Sequence, residues 1–91
     1  SGVATSMHVA YKLREYFEKE QINDVVIDGA GNNELAGRIG NYDIVLSNAE
    51  VTVETDKPVF SAVPLLTSVG EKELVAQVME KVKEIQASRQ D

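Results

Sequence analysis

The fold turns on the opening stretch, SGVATSMHVAYKL, residues 1–13. Small residues and two hydroxyls, Thr5 and Ser6, run directly into an amphipathic pattern, the arrangement that prepares a helix N-terminus for an anion. From Thr5 or Ser6 to about Glu20, Val9, Ala10, Leu13, Tyr16 and Phe17 recur at helical spacing, while Lys12, Arg14, Glu15, Glu18 and Lys19 fall mostly elsewhere. The spacing predicts a helix with one buried stripe. Thr5 or Ser6 is the predicted N-cap, a role that competes with ligand binding for the same hydroxyl.

Downstream, Val25-Val26-Ile27 is a β-branched apolar run ending in the turn cluster Asp28-Gly29-Ala30-Gly31-Asn32-Asn33. It predicts a buried strand and a loop. Glu34 to Gly40 carries Leu35, Ala36 and Ile39 at helical spacing, but Gly37 and Gly40 keep any helix there short. Asp43 to Ser47 reads as a second strand and Pro58 to Val63 as a third, with Val51-Thr52-Val53 between them as a short edge strand or a loop. Ser68-Val69-Gly70-Glu71 matches a capping box, and Leu74, Val75, Val78, Val82 and Ile85 follow as a helical stripe. Such apolar strands belong in a parallel sheet covered on both faces.

The totals narrow the function. A chain of 91 residues holds one domain. With 15 acidic against 9 basic residues its net charge is -6, which disfavours nucleic acid and anionic membrane as partners. It has no cysteine and one histidine, so disulfides, thiolate chemistry and multi-histidine metal sites are excluded within these residues. No apolar run approaches the ~20 residues of a membrane span, and no secretory signal opens the chain, which reads as cytoplasmic.

In α/β proteins the ligand sits at the carboxyl ends of the strands, typically at the loop joining the first strand to the first helix. Ser1 to Ser6 has the character of that loop, yet no strand stands before it. GVATS followed by a helix resembles the active-site loop of the IIB components of the bacterial phosphoenolpyruvate-dependent sugar phosphotransferase system, in particular the galactitol type. Val25 to Asp28, Ile44 to Asn48 and Pro58 to Val63 resemble that family's second, third and fourth strands, and Pro64 to Gly70 resembles the segment leading into its last helix.

The resemblance implies a small three-layer α/β domain with a four-stranded parallel sheet, order 2-1-3-4, like that of low-molecular-weight tyrosine phosphatases. Its first strand is expected on roughly 8 to 12 further N-terminal residues ending at a cysteine two positions before Ser1. A IIA phosphohistidine would donate to that cysteine, and the phosphocysteine would pass the group to sugar, galactitol in the nearest resemblance, held by the membrane-embedded IIC partner. Ser1, Gly2, Val3, Ala4, Thr5 and Ser6 would form the phosphate-binding loop, with no metal or cofactor, in a monomer acting at the inner face of the membrane. Thr5 takes the place of the phosphatase arginine, which favours a carrier that must release the group over a hydrolase. A non-catalytic IIB-like regulatory domain and a phosphatase relative are the alternatives.

Other residues read more simply. His8 is expected at the surface, and Glu50, Glu54 and Asp56 in a solvated loop. Tyr11, Tyr16, Phe17, Tyr42 and Phe60 are expected in or near the core, while Ser61 or Thr67 could flank the site after the last strand.

Overall fold

The computed structural model describes residues 3–90 of the chain. Helix α1, Val3–Lys19, begins ahead of the predicted cap, so Thr5 and Ser6 lie inside its first turns and not at its N-cap. Its buried stripe is Val9, Ala10, Leu13 and Phe17. The helix stops where Gln21 turns left-handed at φ 56° and the Ile22 N–H reaches back to the Phe17 carbonyl at 2.9 Å.

Two strands form among the described residues, against the three predicted. Strand β1, Val45–Ser47, pairs in parallel with β2, Val59–Ser61, with Val45 opposite Val59. The run Val25 to Ile27 is not a strand, since none of its backbone groups is paired with other backbone among the described residues. It keeps a strand's alternation all the same: Val25 and Ile27 pack on the core while Val26 is 76 % exposed. A two-stranded sheet therefore replaces the four-stranded one expected. Residues 51–53 are loop.

The weak helical segment resolves into helix α2, Leu35–Arg38, between 3-10 turns at Asn32–Glu34 and Ile39–Asn41. Lys57 holds the second turn by donating to the carbonyls of Ile39, at 2.7 Å, and Tyr42. Helix α3, Val63–Thr67, is an element the pattern did not predict. Helix α4, Glu71–Ser88, buries Leu74, Val75, Val78 and Val82.

The predicted capping box is absent. Ser68 sits left-handed at φ 70° as the C-cap of α3, its N–H on the Pro64 carbonyl at 2.9 Å, and Gly70, φ 73°, is the N-cap of α4. Glu71 fails to close the box because its carboxylate is taken elsewhere: Lys12 of α1 donates to Oε1 at 2.7 Å, and the Tyr16 hydroxyl donates to Oε2. Lys12 also donates to the Leu65 carbonyl at 2.8 Å, so one ammonium joins α1, α3 and α4.

The main core cluster lies on one face of the sheet. Val9, Leu13 and Phe17 of α1, Ala62 and Leu65, and the α4 stripe form one cluster, with Ile44, Leu46 and Phe60 packed against it. The opposite face is covered in part, since Val45 is buried there while Val59, its pair in β2, is 44 % exposed and α2 is too short to reach further. The expected three-layer cover is thus realised fully on one side only. Of the aromatic residues, Phe17 is buried and Tyr16 and Phe60 pack on the core, but Tyr11 is exposed, against expectation.

The Glu71 contacts carry a pH signature. Hydrogen bonds from Lys12 and then Tyr16 hold its carboxyl below the usual 4.5. The folded state therefore binds this proton less readily than the unfolded one, and the stabilisation is complete above about pH 4.5 and lost as pH falls through the depressed value. Glu71→Gln is expected to be less stable at neutral pH and to lose stability less steeply with acid, so that the two urea-denaturation profiles converge at low pH. Parallel profiles would contradict this role.

Candidate functional site

One cleft, of about 170 Å³, opens between α1, the 25–28 run and β1. Its floor is apolar, built from Val9, Ala10, Leu13, Ile27, Leu46 and Ala62. In the parallel ladder Val45 and Ser47 turn their backbone groups to β2, through Val45 N–H to Pro58 O at 3.0 Å and Ala62 N–H to Ser47 O at 2.8 Å. Leu46, between them, must turn its own N–H and C=O the other way, into the cleft.

At one end the cleft becomes polar. Thr5 and Ser6 of α1 meet Gly29 and Asn32 from the loop after the 25–28 run, and Ser47 and Asn48 from the end of β1. These are the carboxyl ends of the parallel segments together with a helix start, the usual ligand end of an α/β domain. The first turn of α1 holds no acidic residue, so nothing on the helix neutralises its positive end. Its leading N–H groups have no carbonyl within the helix and point toward that end.

Gly29 sets how close the loop comes to α1. A Cβ there would lie 2.8 Å from both the carbonyl carbon and oxygen of Ser6 and 3.0 Å from the Met7 nitrogen. All three atoms are backbone, so a side chain fits only if the helix start or the loop moves. Gly31 follows with its N–H donated to Glu34 Oε1 at 2.9 Å, which fixes the turn into residues 32–34.

The cleft's flank is braced by a polar group that sequence patterns did not reveal. The Tyr42 hydroxyl donates to Asp28 Oδ2 at 2.5 Å, and Arg38 donates to the same hydroxyl at 3.2 Å while its guanidinium lies 5.8 Å from the ring centroid. These contacts tie the segment after α2 to the end of the 25–28 run. No local motif encodes them, because Asp28, Arg38 and Tyr42 meet only once the chain has turned back.

Of the predicted loop, Val3 and Ala4 are exposed, Thr5 and Ser6 are half-buried at the cleft, and Ser1 and Gly2 lie outside the described residues. Gly29 and Asn32, expected in a turn with a ligand role only as a lesser alternative, join Thr5 and Ser6 there, and so does Asn48, which no motif marks; its place after an apolar run is the available signal. His8 is exposed on α1, and Glu50, Glu54 and Asp56 are exposed in the loop between the strands. Ser61 and Thr67 are also exposed, each accepting a backbone N–H two residues on, from Val63 and Val69 at 3.2 Å. No helix among the described residues is long and apolar enough to cross a membrane.

A short parallel sheet whose strand ends converge on the start of a helix defines a small α/β domain. Residues 1–87 match the family described as PTS system, Lactose/Cellobiose specific IIB subunit, and the chain belongs to that family. No curated protein and no solved structure matches it. IIB domains are the phosphotransferases of sugar-specific phosphoryl relays and work between IIA and IIC components. The galactitol type expected from the opening loop is not the type that the matched family's description names.

Proposed function

We propose that this chain is the cytoplasmic IIB phosphocarrier of a sugar-specific relay, with galactitol the first sugar to test, and that residues Ser1 to Ser6 hold the phosphoryl group, Val3 to Ser6 from the first turn of α1. The observation that carries the reading is the convergence of Thr5, Ser6, Gly29 and Asn48 at the uncompensated start of α1. A cysteine thiolate two residues before Ser1 attacks the phosphorus of the IIA phosphohistidine; the P–N bond breaks and the imidazole nitrogen takes up a proton. A sugar hydroxyl presented by IIC then attacks the same phosphorus, the S–P bond breaks, and the thiolate is restored as the hydroxyl proton passes to solvent or a base.

The residues suit a carrier. A thiolate at a helix start is favoured over the thiol at neutral pH, and backbone N–H groups can receive the phosphoryl oxygens. Thr5 offers a hydroxyl where a hydrolase of similar loop would hold the phosphate with a guanidinium, and a looser hold allows onward transfer.

The same reading fills the cleft. A strand leading to that cysteine would lie between the 25–28 run and β1, parallel to both, first in sequence and second in a sheet of order 2-1-3-4. Support comes from the apolar floor of the cleft and from the Leu46 backbone groups turned into it, which such a strand would pair.

The test is the intact mass of the protein as the cell makes it, before and after incubation with phosphoenolpyruvate, the general phosphotransferase proteins and its IIA partner. A mass above 10.0 kDa that rises by a further ~80 Da, lost again on iodine treatment, is the expected result. No mass increase with an active IIA partner would overturn the carrier reading, and hydrolysis of p-nitrophenyl phosphate would redirect it to a phosphatase.

A further inference from the structure

We infer that Asn48 donates its carboxamide N–H to the phosphoryl group held at the start of α1, from the opposite wall of the cleft. The inference rests on the phosphocarrier reading above and adds a residue to it. Asn48 directly follows β1 at its carboxyl end, is half-buried, and lines the polar end of the cleft with Thr5 and Ser6. The residue before it fixes its place. Ser47 Oγ accepts the Ala49 N–H at 3.1 Å and donates to the Ala49 carbonyl at 2.8 Å, closing a turn around Asn48. That turn uses the Ser47 hydroxyl, whereas the Asn48 carboxamide makes no hydrogen bond among the described residues. A half-buried amide with two N–H donors and no partner in the chain is suited to an acceptor from outside it.

Charge explains why a neutral donor is needed there. A phosphoryl group on a side chain is close to a dianion at neutral pH and presents strong acceptor oxygens. Among the described residues, the charged ones lining the cleft are Asp28 and Arg38, and both are engaged: Tyr42 donates to Asp28, Arg38 donates to Tyr42 at 3.2 Å, and Arg38 also lies 3.7 Å from Glu34. The phosphoryl oxygens are therefore met by uncharged donors. The leading N–H groups of α1 and the hydroxyls of Thr5 and Ser6 all belong to one helix, while Asn48 stands at the end of a strand and completes the cradle from the other side. Asn32 lines the same end but is exposed, so water competes for its amide. A neutral carboxamide also holds an anion less tightly than a guanidinium, which suits a group that has to be passed on.

The experiment compares the protein as the cell makes it with its Asn48→Ala and Asn48→Asp variants. Rapid quench reads the rate of phosphoryl acceptance from phosphorylated IIA, the end point reads how the label divides between the two proteins, and urea denaturation runs alongside. Asn48→Ala is expected to slow acceptance by about tenfold or more and to move the label toward IIA, the scale of one lost hydrogen bond to a charged acceptor. Its urea midpoint should stay at the parent value, because the carboxamide bonds nothing within the chain. Asn48→Asp keeps the size and sets a carboxylate against the dianion, so both effects should be larger. Acceptance at the parent rate in either variant, or slowing that comes only with a lowered urea midpoint, would overturn the assignment. A parent protein that takes up no phosphoryl group overturns the carrier reading and this contact with it, whereas a parent phosphorylated normally beside unaffected variants overturns the contact alone.

Discussion

Gly29→Ala is expected to slow phosphoryl acceptance by about a hundredfold, the scale reached when reacting groups are displaced by an ångström. The added methyl would stand 2.8 Å from the Ser6 carbonyl group, well inside contact distance, and no flexible side chain is there to yield. Either the start of α1 shifts outward or the loop after the 25–28 run withdraws. Both open the polar end of the cleft, where Thr5 and Ser6 face Asn32 and Asn48. The strain also costs about 1–3 kcal/mol of stability, as overpacking usually does. Rapid-quench measurement of phosphocysteine formation, with urea denaturation as the companion, separates the two effects. A variant that accepts the phosphoryl group at the normal rate would show that the Gly29 contact does not position the loop.

Leu65→Ala is expected to be the most destabilising single truncation in the core, at about 2–5 kcal/mol. Leu65 is 0 % exposed and sits in α3 among residues of α1 and α4. Shortening it leaves a hole that three separate helices would have to close, and Lys12 pins α1 to the backbone carbonyl of Leu65 itself, which resists the collapse. Since domains of this kind are stable by only about 5–15 kcal/mol in all, the variant should be partly unfolded at physiological temperature. Its urea midpoint should drop with little change in slope. A midpoint within experimental error of the parent would mean that α3 is not part of the cooperative core.

Much of this was legible in the sequence, for reasons that differ between elements. The stripes of α1 and α4 are long enough for a period of 3.6 to declare itself, and all their predicted positions are buried except Tyr16 and Ile85, which are half-buried. Val25 to Ile27 was read as a strand from composition. Composition reports which side chains want burial, whereas a strand also needs a paired edge, and none of the described residues pairs with this run. Helix α3 was missed because five residues are too few for periodicity and because Pro64, apt for a first helical turn, was read as part of a connecting segment. The capping box at Ser68 failed through a contact beyond its local window: Glu71 is drawn to Lys12, far back in the chain.

The ligand end shows the same division. Thr5 and Ser6 were singled out because a helix start advertises itself in sequence. Gly29 was read as an ordinary turn glycine, and its packing role depends on Ser6 lying against it, which only the folded chain reveals. Tyr42 is expected near the core from its type and is half-buried, and Asp28 is expected in a turn, but their contact with each other and with Arg38 carries no sequence signal, since it forms only across the fold.

The uneven spread of charge along the chain bears on kinetics. Between Glu20 and Gly70 eight acidic residues stand against Arg38 and Lys57, while α1 carries a slight basic excess, so the molecule has a permanent electric moment that turns it in the field of an approaching ion before contact. Encounters are then biased toward productive orientations, and the bias is screened away as ionic strength rises.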